Sequence, residues 1–502
     1  MDSTTRHDSG SARPLWTAVA ASFVSVTGTA MTAIAVPLLV LGVTGSGRDA
    51  GLVAFFELAP YLLAQFFGGP LVDRLGFRRV AVVGNTVAGA LVCLVPWLFL
   101  TAVPQLWVLC VLLAIAGLAR GGADLGSGAL VPVLAAAGAV QMSRASGWNN
   151  TAQRAGLVIG GLLGGLLLTV ASPSVVILGD GLSFLAAASM FASIRSVGVR
   201  DSSAAPGRAD DGDNYRTRLR AGFAFIGREP LVRALVLVSA STNLFAAALS
   251  GVLLQAWSLD RQVAAGALGV IFAALGLGQV AGSVIAATWG SRLPRFRMFV
   301  IGFLVGGPPM FLAPALSGVP LVVGAIVLIG GVALGMVNPV LGAVYYERIP
   351  VPLLARVLGT IRATAWAGVA IGPLLGGILL SQVGVTPTLL ICGIGYTALA
   401  LMPLVVPVFR GLAQVGAVDT APTDDHVADP APAPAPAPAA AEDPTAPTAD
   451  ALAAPSDAGR VGPRDKQVGP GISAGPRLPW QRSAEPRPES TARSDRPARP
   501  VL

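Results

Sequence analysis

The chain has 502 residues, 54% of them hydrophobic and 12% charged, with a mean hydropathy of +0.70 and a net charge of +8. That balance excludes a soluble globular protein, and charges confined to short clusters between long apolar runs mark a polytopic α-helical membrane protein. The basic excess is arginine, Lys466 being the only lysine, and the arginines flank apolar runs, so membrane topology explains them better than a nucleic-acid partner does.

Residues 1–13 are polar and lack the short apolar core and small-residue site of a cleaved signal peptide. From Pro14 twelve apolar spans follow, each near the roughly 20 residues that cross about 30 Å of hydrocarbon. In the first half they are expected at 14–41, 50–72, 79–100, 105–128, 147–170 and 174–196. In the second half they are expected at 231–256, 265–289, 297–317, 320–343, 360–381 and 387–409. This predicts an all-α fold of two six-helix bundles, 14–197 and 231–410, joined by a central loop over 198–230.

Arginine placement predicts that both termini are cytoplasmic. With the N-terminus inside, Arg74, Arg78, Arg79, Arg144, Arg292, Arg295, Arg297, Arg348 and Arg356 fall in cytoplasmic loops, and the central loop adds Arg200, Arg208, Arg216, Arg218, Arg220 and Arg228. The opposite loops hold only Arg48 and Arg261, each beside an aspartate. Tyr215 to Arg233 fits a short amphipathic surface helix with Leu219, Phe223 and Phe225 facing down, or else a solvated linker. After Arg410 the composition turns to alanine and proline, alternating strictly from Pro430 to Pro438. Residues 411–502 cannot bury enough apolar surface to offset chain entropy and are expected to be disordered, either dispensable or a partner-binding tail.

One run occurs twice. Gly156-Leu-Val-Ile-Gly-Gly-Leu-Leu-Gly-Gly165 returns as Gly368-Val-Ala-Ile-Gly-Pro-Leu-Leu-Gly-Gly377, with Arg144 falling on Arg356 and Gly147 on Gly359. The reading is a duplicated pair of membrane helices whose glycine faces let neighbouring backbones approach closely. A chain built of two similar membrane halves points to a transporter.

Ionisable residues inside spans mark functional positions, because each is costly in hydrocarbon unless paired or hydrated. Glu57 lies in the outer half of span two, about 24 Å above Asp73 along one unbroken helix. It is either a proton-loading site or a carboxyl kept neutral by hydrogen bonds. Arg120 and Asp124, one turn apart on span four, are expected to pair with each other. Arg154 on span five is placed to share that network, and Asp180 on span six is a second carboxylate or a helix-packing group. Trp148, Asn149, Asn150, Asn243, Phe245 and Trp257 are candidates to line a substrate cavity. Cys93, Cys110 and Cys392 lie in apolar runs as unpaired thiols, and His7 and His426 lie outside them, which excludes a membrane histidine relay or metal site. There is no G-x-x-x-x-G-K-[ST] or H-E-x-x-H, and no G-x-S-x-G at a strand–helix junction, so no ATPase or hydrolase site is expected.

Gly69-Pro-Leu-Val-Asp73-Arg74-Leu-Gly76-Phe-Arg78-Arg79 resembles the motif-A loop of the major facilitator superfamily, with Phe77 where an arginine is usual. A weaker copy, Ser291-Arg292-Leu-Pro294-Arg295-Phe-Arg297, occupies the equivalent loop of the second half, with serine in place of the aspartate. The duplicated run resembles motif C: Gly156, Gly160, Gly161, Gly164 and Gly165 in span five, and Gly368, Gly372, Pro373, Gly376 and Gly377 in span eleven. Gly161 takes the proline position in the first copy. Arg120 resembles the motif-B arginine, although Ala123-Asp124 replaces the usual Gln-Gly. Arg144-Ala-Ser-Gly-Trp-Asn-Asn, Asp180-Gly-Leu-Ser-Phe-Leu and Arg228-Glu-Pro-Leu-Val-Arg-Ala-Leu are similar to the macrolide and enterobactin exporter branch.

The resemblance covers roughly 14–410 and implies a secondary exporter of a small hydrophobic drug, antibiotic or secondary metabolite. Its halves rock about a central cavity, with motif A as gate and motif C as hinge. It implies proton antiport in the cell membrane by a monomer, with no cofactor or metal and the proton gradient as energy source. An importer or proton symporter on the same fold, and a non-transporting membrane scaffold acting through its tail, are the alternatives.

Overall fold

A computed structural model describes residues 12–101, 105–194, 215–350 and 353–414. The N-terminal segment to residue 11, most of the central loop, both histidines and the alanine–proline tail from 415 onward lie outside the described residues. By its contacts the chain divides into Met1–Thr423, to which all of the described structure belongs, and Asp424–Leu502.

The described residues are helical, without a strand. Twelve helices among them are long and apolar enough to cross a membrane. The first half contains α1 (Arg13–Thr44), α2 (Gly47–Phe67), α3 (Phe77–Phe99), α4 (Leu106–Ala137), α5 (Met142–Val170) and α6 (Pro173–Ser193). The second contains α7 (Pro230–Asp260), α8 (Ala265–Trp289), α9 (Arg295–Leu316), α10 (Pro320–Arg348), α11 (Arg356–Val383) and α12 (Val385–Val405).

Several helices run past their apolar stretch. Backbone hydrogen bonding continues into the polar layer, so Arg144, Arg348 and Arg356 lie in terminal helical turns rather than in loops. The second span, in contrast, is shorter than expected. It stops at Phe67, turns at Gly68 and restarts as a separate helix, Gly69–Leu75, with Pro70 in its first turn. No single rod therefore joins Glu57 to Asp73, and Glu57 sits midway along α2 instead of in its outer half. The second half has its own irregularities: α7 contains a π turn at Leu249–Leu253, and α9 is interrupted at Gly307, ahead of Pro308.

The duplicated glycines organise the packing. On α5, Gly156, Gly160 and Gly164 recur every fourth residue and face α1 of their own half. A Cβ at Gly160 would lie 2.7 Å from Ala30 Cβ, and one at Gly164 2.9 Å from Met31 Cα. Gly165 faces the other half, where a Cβ would come 2.5 Å from Gly269 Cα on α8. In the second copy Gly368, Gly372 and Gly376 face α7, whereas Gly377 faces α2 of the first half, 3.0 Å from Gly51 Cα by the same measure. Helices α5 and α8, and α11 and α2, thus seal the halves together at one membrane end by backbone approach. Gln255 on α7, fully buried, adds a hydrogen bond from Nε2 to the Ala33 carbonyl of α1 at 3.3 Å. The opposite, arginine-rich end carries Arg144 and Arg356.

The helix Tyr215–Arg228 packs on the start of α11. Gly222 meets Thr360, Ile226 is buried and Phe223 is exposed at the protein surface. The side chain of Leu219 lies outside the described residues, and Phe225 is half-buried against the core. Past α12 the chain turns through Pro407–Gln414, where Phe409 and Leu412 are fully buried and Phe409 stacks on Phe299 with ring centroids 6.1 Å apart. The second bundle therefore extends beyond residue 410.

Candidate functional site

A cavity of about 780 Å³ lies between the halves toward the arginine-rich end. Its first-half wall includes Ser22 on α1, Tyr61 and Gln65 on α2, Asp124 on α4 and Gln153 on α5; its second-half wall is α11, with Arg356, Thr360, Arg362 and Trp366. A second cavity of about 430 Å³ within the second half shares Arg362 and Trp366 and is also lined by Asn243, Asn338 and Tyr346.

A polar ladder climbs from the first wall into the first half. It depends on small residues: a Cβ at Gly121 would lie 2.5 Å from the Tyr61 carbonyl and 2.7 Å from Ala64 Cβ, while Gly117 abuts the Glu57 backbone. These glycines let α4 approach α2 closely enough for their side chains to meet across the seam. Arg120 Nη1 stands 3.1 Å from Glu57 Oε1, with side-chain exposures of only 13% and 21%. The guanidinium carbon also lies 4.5 Å from the Tyr61 ring centroid, a cation–π contact. One turn along, the Tyr61 hydroxyl donates to Asp124 Oδ2 at 3.0 Å. Gln65 Nε2 donates to the Tyr61 hydroxyl and to the Gly121 carbonyl, both at 3.3 Å. Glu57, Arg120, Tyr61 and Asp124 thus form a continuous chain of ionisable groups that ends in the cavity wall.

This corrects the expected pairing of Arg120 with Asp124 along one helix: the ion pair formed by Arg120 crosses to α2, and Asp124 is held by a tyrosine. Arg154 does not join the network. It is exposed on α5 and makes no ion pair among the described residues. Asp180 is buried between α6 and α1, accepts from Ser183 Oγ at 3.3 Å beside Gly28, and lies within electrostatic reach of Arg120.

In the motif-A stretch, Gly69, Asp73 and Arg74 sit on the short helix after α2, and Gly76 has a φ of +87°, the left-handed region that glycine adopts without strain. Arg78 donates from Nε to the Phe191 carbonyl at 3.2 Å and from Nη2 to the Ala192 carbonyl. A cation on the free carbonyls of a helix C-terminus is favourable, so Arg78 ties α3 to the end of α6. Arg79 is exposed.

Of the cavity candidates, Asn243 lines the second cavity and donates to the Ala365 carbonyl at 3.0 Å. The others are elsewhere. Trp257 is fully buried and donates to the Ser317 carbonyl at 3.2 Å. Phe245 packs in an aromatic cluster with Phe311 and Tyr396. Trp148 packs edge-on against Trp16 at 5.9 Å, Asn150 is exposed, and the half-buried Asn149 lines neither cavity. The apolar sequence around these residues carries no sign of which side faces a cavity.

Tyr61, Gln65, Arg362 and Trp366 were not anticipated from sequence. The signal for the first two was their spacing, one and two turns after Glu57. Arg362 lies well inside α11, where the argument from cost in hydrocarbon that selected Arg154 applies equally.

Known proteins share both sequence and fold with this chain. The family model described as Major Facilitator Superfamily matches residues 18–250 and 234–454. Multidrug efflux pump Tap of Mycolicibacterium fortuitum is 25% identical over 404 residues, covering 80% of this chain and 97% of that protein. Its namesake from Mycobacterium tuberculosis is 24% identical over 419 residues, covering 82% and 96%. Among solved structures, the nucleoside transporter NupG superposes with a TM-score of 0.64 at 12% identity, over 80% of this chain and 98% of that one. A bacterial homologue of the human lysosomal transporter Spinster, inward-facing and unoccupied, gives 0.58 at 11% identity, over 81% and 98%. With a family match over more than half of its length and a twelve-helix fold shared with solved transporters, the chain belongs to the Major Facilitator Superfamily as a multi-pass membrane transporter, not an enzyme.

Proposed function

We propose that this transporter exports a small hydrophobic compound, such as a drug, an antibiotic or a secondary metabolite, across the cell membrane by proton antiport. The observation that carries the reading is the Glu57–Arg120–Tyr61–Asp124 chain, which connects a carboxylate midway along α2 to the wall of the cavity between the halves. Relatives named multidrug efflux pumps, aligned along almost their whole length, support export as the direction. The arginine excess at that end supports a cytoplasmic orientation for the open end of the cavity and for both termini.

In the proposed cycle a proton arriving at Glu57 removes its charge and frees Arg120, which is left to Asp124 one turn further along α4. The altered charge in the wall releases substrate as the halves rock from this cavity-open form to the opposite one. Everted membrane vesicles test the reading with a fluorescent hydrophobic compound. Accumulation requires a proton gradient and survives ATP depletion; accumulation indifferent to collapse of the gradient would rule out antiport.

A further inference from the structure

Arg362 occupies an unusual electrostatic position. It projects from α11 into both the 780 Å³ cavity between the halves and the 430 Å³ cavity of the second half. Its side chain is exposed to that space and makes no hydrogen bond or ion pair among the described residues. A guanidinium facing a narrow space between membrane helices is costly unless water or an anion meets it.

The surrounding charges do not meet it. In the larger cavity the lining carries one carboxylate, Asp124, already engaged by Tyr61, against two arginines, Arg356 and Arg362. The smaller cavity has no lining carboxylate, and Arg362 is its single charged residue. A recess of one sign with low-dielectric walls concentrates ions of the opposite sign. Beside the cation stands an apolar platform: Trp366, one helical turn on and so on the same face of α11, lines both cavities, and Tyr346 faces the smaller one.

We propose that Arg362 anchors a binding site for amphiphilic organic anions. The planar guanidinium takes a carboxylate through two parallel N–H···O bonds, and the aromatic body of the ligand lies against Trp366. Hydrophobic cations are disfavoured beside Arg362, the single charged residue lining the smaller cavity. The assignment narrows the substrate class of the export reading and rests on that reading for the direction of movement, while binding stands independently of it.

The test uses the full-length protein in detergent, with pyrenebutyrate and its methyl ester as probes and fluorescence anisotropy corrected for empty micelles. The wild type binds the acid about tenfold or more tightly than the ester, the scale of one charge-assisted hydrogen-bonded pair. Arg362→Ala removes that preference, while Arg362→Lys keeps part of it, retaining the charge without the fork. A wild-type melting temperature for Arg362→Ala establishes that the variant is folded, and Arg362→Gln serves if it is not. Equal wild-type binding of acid and ester, or a preference that survives loss of the guanidinium, overturns the proposal. Everted vesicles separate the two readings. Acid preference in binding without gradient-driven accumulation defeats the export reading alone, whereas gradient-driven accumulation of the ester without acid preference in binding defeats the anion site alone.

Discussion

Arg120 reaches across to Glu57 on α2 at 3.1 Å, although Asp124 stands one turn away on its own helix. Helix geometry accounts for the choice. Side chains lean toward the N-terminus of their helix, so Arg120 is carried away from Asp124 and toward the level of Glu57. A cation N-terminal to its acid is also the weaker order for a pair one turn apart. Helices α2 and α4 run parallel, and the same register brings Tyr61 to Asp124 one turn later.

Replacing Glu57 by Gln keeps the shape of the ladder and removes its charge. Gradient-driven accumulation in everted vesicles is expected to fall at least about tenfold, corresponding to 1.4 kcal/mol of lost coupling. Tyr61→Phe removes only the hydroxyl between Gln65 and Asp124. It should cost about 1 kcal/mol of stability and lower transport less than Glu57→Gln does. An active Glu57→Gln protein with its proton dependence intact would remove Glu57 from the coupling path.

The duplicated glycines separate into those that pack and those that do not. Gly160 has no room for a methyl group beside Ala30, whereas a Cβ at Gly161 meets its nearest atom, Phe272 Cβ, at an ordinary 3.5 Å. Gly160→Ala should therefore abolish transport or lower the thermal stability of the purified protein by several degrees. Gly161→Ala should retain transport within about twofold, in keeping with the small cost of a substitution that meets no packed surface. Gly161→Pro is a different change, because the ring of its counterpart Pro373 abuts Gly251 in the π turn of α7.

At the sealed end, a methyl at Gly377 would stand 3.0 Å from Gly51 Cα. Gly377→Ala should push α11 from α2 and depopulate the cavity-open form. A cysteine at Gly359, which lines the cavity and has open space at its Cβ position, reports that change. Its alkylation rate should drop several-fold in the Gly377→Ala background, while Cys93, Cys110 and Cys392, buried or half-buried, contribute little signal.

Truncation separates fold from tail. Removing residues 415–502 should leave both transport and melting temperature unchanged. Stopping at Arg410 also removes Leu412, whose complete burial stabilises the second bundle by roughly 1.5–3 kcal/mol. The shorter protein should melt several degrees lower. Loss of transport on removing 415–502 alone would favour a tail-dependent function.

The twelve spans and their pairing into halves were legible because apolar length and a repeated glycine pattern are properties of the chain itself. Gly156 and Gly377 declare close helix contact wherever they occur. The charged ladder was half legible. Glu57, Arg120 and Asp124 stand out as charges in hydrocarbon, but their pairing depends on how two helices register, which spacing within one helix does not specify. Trp257 and Phe245 show the limit most clearly. An aromatic side chain serves a buried core and a cavity wall equally well, and only the helix orientations put Trp257 inside the protein and Trp366 against open space.

The seal contacts at Gly51, Gly165, Gly269 and Gly377 are made against backbone, and no ion pair among the described residues crosses them. Opening them separates no opposite charges. Those contacts are consequently little affected by ionic strength, whereas Arg48 and Asp49, in the same turns of α2, carry charge when that end moves. The two ends of the molecule are thus held in different ways: close-packed backbone at one and a cavity wall bearing charge at the other.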